Sequence, residues 1–133
     1  MIFFAHPNFP APLANLIQAY DEALGNGHAF EIQPYPPDTP DPEWYPVAAK
    51  RRPKPYILIF DNEGLRRKQS RIALHKLGLT FVHFKGVWRT TPLDEAAWRV
   101  IKYWRKIELM CSAAKPASII EVSIHGKLFA EKL

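Results

Sequence analysis

Short apolar runs alternate with amphipathic stretches along this chain, and the pattern predicts strands and helices in regular succession. Strands are predicted at 2–4, 28–33, 56–61, 79–84 and 118–129, the last with a turn at His125-Gly126. Helices are predicted at 8–24, 42–50, 63–77 and 93–111. The order β-α-β-α-β-α-β-α-β predicts a single three-layer α/β domain over 1–133, with a mainly parallel central sheet.

Local signals support several of these boundaries. Asn8 is a good cap for the first helix, Pro10 suits its first turn, and Gly25 can close it. Asp41 is a good cap for the second helix. A proline-rich stretch at 34–42 is too stiff for either periodic element and is predicted to be a loop.

The composition is that of one folded domain. Of its 133 residues 47% are apolar, which excludes a disordered chain. No apolar run approaches the roughly 18 residues of a membrane span, so we expect no membrane association. Cys111 is the single cysteine and can form no internal disulfide. This favours a reducing compartment, and we expect a cytoplasmic protein.

The charge is distributed unevenly along the chain. Residues 1–49 contain six acids and no lysine or arginine, whereas residues 50–133 contain all 18 basic residues and seven acids. A basic surface can follow the phosphates of a nucleic acid, and the resemblance given below implies that this nucleic acid is RNA. The predicted RNA-binding residues lie on the third helix: Arg66, Arg67, Lys68 and Arg71. The alternative is a solvated helix face without a ligand.

Three acids are the candidates for chemistry. Asp61 follows a buried strand, at the edge of a parallel sheet where ligands bind. Asp41 and Glu43 begin the second helix. If these acids meet, their oxygens suit Mg²⁺ or Mn²⁺, which can support phosphodiester hydrolysis. Helix capping is the competing explanation for both aspartates. His83 also ends a strand, but the sequence gives it no functional role.

Four segments together resemble a PIN-like domain of the VapC-type toxin group. They are "IFF" followed by "NFPAPLANLI", then "PPDTPDPEW", "YILIFDNEGLRRKQSRIALHKLGLTFVHFKG" and the final "EVSIHGKL". The resemblance implies a Mg²⁺- or Mn²⁺-dependent endoribonuclease, the toxin of a toxin–antitoxin pair, which an antitoxin protein would cover. It implies Asp41 and Asp61 as catalytic metal ligands and Glu43 as a helper. Homodimer formation is left open.

The first strand departs from the pattern of that group. Where the group has an aspartate, this chain has Ala5 or His6, with one apparent extra residue before "NFP". Three explanations stay open: a degenerate domain, a changed metal site that includes His6, or an inactivating substitution. The expected function is therefore an endoribonuclease with Asp41, Asp61 and His6 as the metal set. The alternative is a non-catalytic PIN-like module that binds RNA or a protein partner.

Overall fold

The computed structural model describes residues 1–32, 34–36 and 38–133. The strands are β1 Ile2–Ala5, β2 Ala29–Ile32, β3 Tyr56–Phe60, β4 Thr80–Phe84, β5 Ser118–Val122 and β6 Leu128–Lys132. The helices are α1 Ala11–Leu24, α2 Asp41–Ala49, α3 Glu63–Arg66, α4 Lys68–Leu77 and α5 Leu93–Ala113. A 3₁₀-helix spans Gly86–Thr90. Gln33 of the predicted second strand and Pro37 of the predicted loop lie outside the described residues.

One six-stranded sheet organises the protein, with the order β2-β1-β3-β4-β5-β6. The first five strands are parallel, and β6 is antiparallel to β5. The α/β class and the mainly parallel sheet are therefore confirmed. The predicted strand 118–129 is a hairpin with its turn where the sequence placed it, and Gly126 adopts a φ of 86° there. The order 2-1-3-4-5 is that of doubly wound α/β sheets.

Helices cover both faces of the sheet, because the central strands β1, β3 and β4 are mostly apolar and bury both sides. Leu58, Val82 and Ile120 point to one face, where they pack against α1 and α5. Ile57 and Phe81, each the preceding residue on its strand, point to the other face and pack against α2, α3 and α4. These are called the α1–α5 face and the α2–α4 face below.

Two predicted helix caps are wrong. α1 begins at Ala11 after Pro10, and no side chain caps it, because Asn8 bonds to β3 instead. α2 begins at Asp41 itself, and its carboxylate bonds to His6 rather than to the first turn. The predicted helix 63–77 is also interrupted, since Arg67 has extended backbone angles of φ −80° and ψ 128°. This break turns α3 away from α4.

The connection from β4 to β5 has the opposite hand to the other crossovers. From β3 to β4 the connecting helices lie on the α2–α4 face. From β4 to β5 the chain moves in the same direction across the sheet, but its connecting helix α5 lies on the α1–α5 face. Parallel crossovers share one hand in nearly all proteins. Trp88 directs this exception: it is 1% exposed in the α1–α5 core, and its indole N–H donates to the Val122 carbonyl at 2.9 Å.

Helix α5 buries an apolar stripe against α1, with Val100, Trp104, Ile107 and Cys111 all inside. Leu93 has the same helical spacing but is exposed, because it lies at the helix start. In the part of the chain that the structure describes, none of the helices combines the length and the apolar character that crossing a membrane requires.

We expect Trp88→Phe to lower the free energy of unfolding by about 2 kcal/mol, because it leaves a gap in the core and removes the donor to Val122. Trp98→Phe is the matched control, since Trp98 is 46% exposed and donates only to an exposed glutamate, Glu95. Urea unfolding of the two variants measures the difference. Equal losses would show that Trp88 does not hold the crossover.

Candidate functional site

The ends of β1 and β3 mark the point where the chain leaves the sheet in two directions. After β1 it enters α1 on the α1–α5 face, and after β3 it enters α3 on the other face. Such a point opens a crevice in which α/β proteins bind ligands. His6, Asn8 and Asp61 follow these two paired strands. The ends of β1, β3 and β4 are called the carboxyl edge below.

Asn8 joins the loop after β1 to the end of β3. Its Oδ1 accepts a hydrogen bond from the backbone N–H of Phe60 at 3.1 Å, and its Nδ2 donates to the Phe60 carbonyl at 3.2 Å. β1 has ended at this point, so its backbone no longer pairs with Phe60. The Asn8 side-chain amide, which has both a donor and an acceptor, makes these two hydrogen bonds instead. It fixes the spacing of the two strand ends at the crevice.

His6 is the residue of β1's end that faces the crevice. Neighbouring strand residues point to opposite faces, and Ala5 belongs to the core of the α1–α5 face. The backbone N–H of Asn8 donates to His6 Nδ1 at 3.0 Å, so the proton of the neutral ring lies on Nε2. Nε2 donates to Asp41 Oδ1 at 2.9 Å. Both ring nitrogens of this buried histidine are therefore engaged.

Asp41 accepts hydrogen bonds from three side chains. Besides His6, Trp44 Nε1 donates to Oδ1 at 3.2 Å and the Tyr45 hydroxyl donates to Oδ2 at 3.4 Å. Partial burial raises the pKa of the Asp41 carboxyl, but the hydrogen bonds that His6, Trp44 and Tyr45 donate outweigh it and hold that pKa below its usual value. Asp41 is therefore an ionised carboxylate at neutral pH. Burial, followed by the adjacent Asp41 charge, raises the pKa of Tyr45 and keeps it a donor.

Asp61 is bound by cations and by a histidine. Its carboxylate pairs with the Arg66 guanidinium, and its Oδ1 lies 3.3 Å from His83 Nε2. Arg89 Nη2 also donates to the Asp61 backbone carbonyl at 3.2 Å. The side chain that caps α3 is Asn62, whose Oδ1 accepts from the Gly64 N–H at 2.7 Å. Capping therefore does not explain Asp61.

His83 is the contact of this edge that the sequence did not reveal. It is the penultimate residue of β4, and the pairing of β3 with β4 brings it beside Asp61. Burial lowers the pKa of His83 to about 4. The ring is neutral at pH 7, so it holds the Asp61 carboxylate as a hydrogen-bond donor rather than as a cation.

The remaining predicted residues lie at the surface around the edge. Glu43 is exposed on the first turn of α2. Arg67 and Lys68 are exposed, and Arg67 pairs with Glu63 at 3.0 Å. Arg71 bonds to Glu131 and to the Lys132 carbonyl on β6. Of the four predicted RNA-binding residues, Arg66 is the one that bonds to a predicted catalytic acid.

Two cavities open beside these acids. A cavity of about 480 Å³ lies between α2 and the α3–α4 pair, with Asp41 and Asn62 on its wall and apolar side chains elsewhere, among them Tyr45 and Leu74. A second, of about 340 Å³, reaches His83 and is lined by Arg66, Arg71, Lys85, Glu121 and Glu131 among others. Cations and acids alternate around the second cavity.

The acids of the carboxyl edge do not fit a Mg²⁺ or Mn²⁺ ion as they stand. Both carboxylates already accept bonds from protein donors, and His6 offers a bonded N–H rather than an oxygen. Among the described residues, one set of three ligand-type side chains has atoms within 4.8 Å of one another, and it is Asp21, His28 and Glu108. The metal assignment of Asp41, Asp61 and His6 stays a prediction.

The pKa of His83 makes folding stability depend on pH. An unfolded histidine has a pKa near 6.5, whereas the folded chain keeps His83 neutral down to about pH 4. Between these pH values the unfolded chain therefore binds a proton that the folded chain does not. The contribution of His83 is complete above about pH 6.5 and is lost as the pH falls to 4, by about 2–3 kcal/mol. We expect His83→Gln to flatten the stability profile between pH 4 and 7.

Chemical unfolding across this pH range measures the profile. His125→Gln, at an exposed histidine in the β5–β6 turn, is the control and should keep the profile of the original chain. A His83→Gln profile as steep as that of the original chain would contradict the neutral, buried assignment.

Comparisons with known proteins return no match for this chain. No family model, no curated protein sequence and no solved structure matches it. The geometry of the carboxyl edge and the order and spacing of the motifs along the chain are therefore the observations from which a function can be proposed.

Proposed function

We propose that this protein is a three-layer PIN-like domain that binds RNA at the carboxyl edge of its sheet and has no metal-dependent cleavage step of its own. The observation that supports it is the convergence of two exposed guanidinium groups on Asp61. Arg66 reaches the carboxylate from α3, and Arg89 reaches the carbonyl from the 3₁₀-helix. Lys85, directly after β4, adds a third exposed cation beside them.

Phosphate oxygens can replace the present partners of these cations. Guanidinium groups bind phosphate with paired hydrogen bonds, more strongly than neutral donors do. Arg66 and Lys85 each form an ion pair with an acid, and their own side chains are 62% and 60% exposed to solvent. Exposed ion pairs contribute only about 0–1 kcal/mol, so exchanging a carboxylate for a phosphate costs little. Release of counterions from RNA then favours binding.

A metal-dependent endoribonuclease of toxin type is the second candidate, and one observation favours it. Asp41 and Asp61 each accept a hydrogen bond from a buried histidine. Carboxylates that bind a metal are commonly held by hydrogen bonds in this way. The absence of an acid at the end of β1 argues against this candidate. Mg²⁺ or Mn²⁺, an antitoxin partner, homodimer formation and a cytoplasmic location stay predictions.

The RNA proposal predicts that removing the three exposed cations weakens binding. We expect the triple variant Arg66→Gln, Lys85→Gln and Arg89→Gln to bind single-stranded RNA at least tenfold more weakly. The slope of log affinity against log salt should also fall by about 2, because fewer counterions are released. Fluorescence anisotropy with a labelled oligonucleotide at several salt concentrations measures both quantities.

The control variant removes the same charge from another surface, by Lys102→Gln, Arg105→Gln and Lys106→Gln on the exposed side of α5. It should bind RNA with nearly the affinity and slope of the original chain. If the two triple variants lose affinity equally, RNA binding is a general effect of the +5 net charge and the carboxyl edge is not its site.

Cleavage separates the two candidates. With Mn²⁺ and labelled RNA, we expect the original chain to cleave no faster than Asp61→Asn. His6→Asp should increase Mn²⁺ affinity, because it places a carboxylate beside Asp41 where a divalent ion relieves the repulsion. Ala5→Asp is the control, since Ala5 lies in the apolar core. Mn²⁺-dependent cleavage by the original chain that Asp61→Asn abolishes would replace the binding module by the enzyme.

A further inference from the structure

A second polar cluster lies at the opposite edge of the sheet, where the strands begin. Asp21 comes from the last turns of α1, His28 directly precedes β2, and Glu108 comes from α5. One ligand atom of each lies within 4.8 Å of the other two. Asp21 is 0% exposed and Glu108 is 6% exposed, so two carboxylates share the protein interior. The proposed RNA site uses none of these residues.

Neutral groups make most of the bonds to these two carboxylates. Asn26 Nδ2 donates to Asp21 Oδ1 at 3.0 Å and to both Glu108 oxygens at 3.1 Å. Trp104 Nε1 donates to Asp21 Oδ1 at 3.2 Å, and His28 Nε2 lies 3.0 Å from Glu108 Oε2. The amino group of Met1 lies 3.2 Å from His28 Nδ1, on the far side of the imidazole. No lysine or arginine bonds to either carboxylate among the described residues.

The Asp21 carboxylate has one oxygen without a partner. Oδ2 is buried and accepts no hydrogen bond within the described part of the chain. An unsatisfied buried acceptor costs roughly 1–3 kcal/mol, and more when it carries charge. Buried charges in proteins are normally paired or coordinate a metal. The free oxygen, the lack of a lysine or arginine partner among the described residues and the short spacing of the three ligand atoms all indicate that this cluster can hold a cation.

We propose that Asp21, His28 and Glu108 form a binding site for a divalent transition metal ion, with Zn²⁺ as the representative. Asp21 Oδ2, one Glu108 oxygen and His28 Nε2 are the ligands. A nitrogen with two carboxylates suits Zn²⁺ better than Mg²⁺ or Ca²⁺, which prefer oxygen alone. Ligand atoms around a tetrahedral Zn²⁺ lie about 3–3.5 Å apart. The three ligand atoms lie within 4.8 Å of one another, so small side-chain movements would bring them to that spacing.

Metal binding would rearrange few bonds. Metal at Nε2 leaves the imidazole proton of His28 on Nδ1, and the facing Met1 ammonium releases one proton to solvent so that its nitrogen can accept the Nδ1–H bond. The Asn26 amide keeps its bonds to the carboxylates. Cys111 does not compete, because burial raises the pKa of its thiol to about 12 and keeps it protonated. The bound ion would connect α1, the start of β2 and α5, so we expect it to stabilise the folded chain.

Isothermal titration of the chelator-treated protein with ZnCl₂ tests the proposal. We expect one Zn²⁺ per chain and a rise in Tm, with affinity at least tenfold weaker in Asp21→Asn and in His28→Gln. His28→Gln is the safer variant, because His28 is partly exposed and its replacement should still fold, as circular dichroism will show. Co²⁺ in place of Zn²⁺ should give visible absorption in the original chain that both variants lack.

Asp41→Asn and Asp61→Asn are the matched controls, since they change acids of the carboxyl edge, and they should bind Zn²⁺ unchanged. Three results would overturn the proposal: no Zn²⁺ bound by the original chain, binding that survives His28→Gln, or binding that depends on Asp61 instead of His28. Loss of RNA binding in the Arg66, Lys85 and Arg89 variant would leave it untouched, so the two proposals fail separately.

Discussion

The pairing of β1 with β3 is the contact on which the carboxyl edge depends. Ala5 lies opposite Leu58, the His6 N–H donates to the Leu58 carbonyl at 2.9 Å, and Asn8 then bonds to Phe60. Because strand side chains alternate between faces, this register sends Ala5 into the core and His6 toward Asp41. A slip of one residue would exchange them and remove the histidine from the crevice. Register therefore decides which chemical group the first strand presents.

The imidazole of His6 at this position changes the electrostatics of the carboxyl edge. An acid beside Asp41 would repel it and require a cation, whereas the neutral His6 donates a hydrogen bond and lowers the pKa of Asp41. His83 and Arg66 hold the Asp61 carboxylate by a hydrogen bond and an ion pair. Each carboxylate is thus stabilised by the protein, and the exposed guanidinium groups around Asp61 stay available for a phosphate. For this physical reason we propose anion binding rather than metal-assisted hydrolysis.

The sequence predicted what is local and missed what is long-range. Apolar runs predicted the central strands β1, β3 and β4, since a strand buried on both faces carries mostly apolar side chains. The break at Arg67 carried no signal, because no proline or glycine marks it. The roles of Asn8 and His83 follow from contacts with residues 52 and 22 positions away. Asp21, His28 and Glu108 were missed entirely, since His28 and Glu108 lie 80 positions apart.

The unusual crossover links the two ends of the sheet. Trp88 holds the chain after β4 on the α1–α5 face, and α5 consequently packs against α1. Had this connection shared the hand of the others, α5 would lie beside α4, and Glu108 could not meet Asp21. The same placement brings Trp104 to the Asp21 carboxylate at 3.2 Å. An uncommon connection thus creates a buried pair of acids, and the interior can hold both charges only with donors and a counter-charge close by.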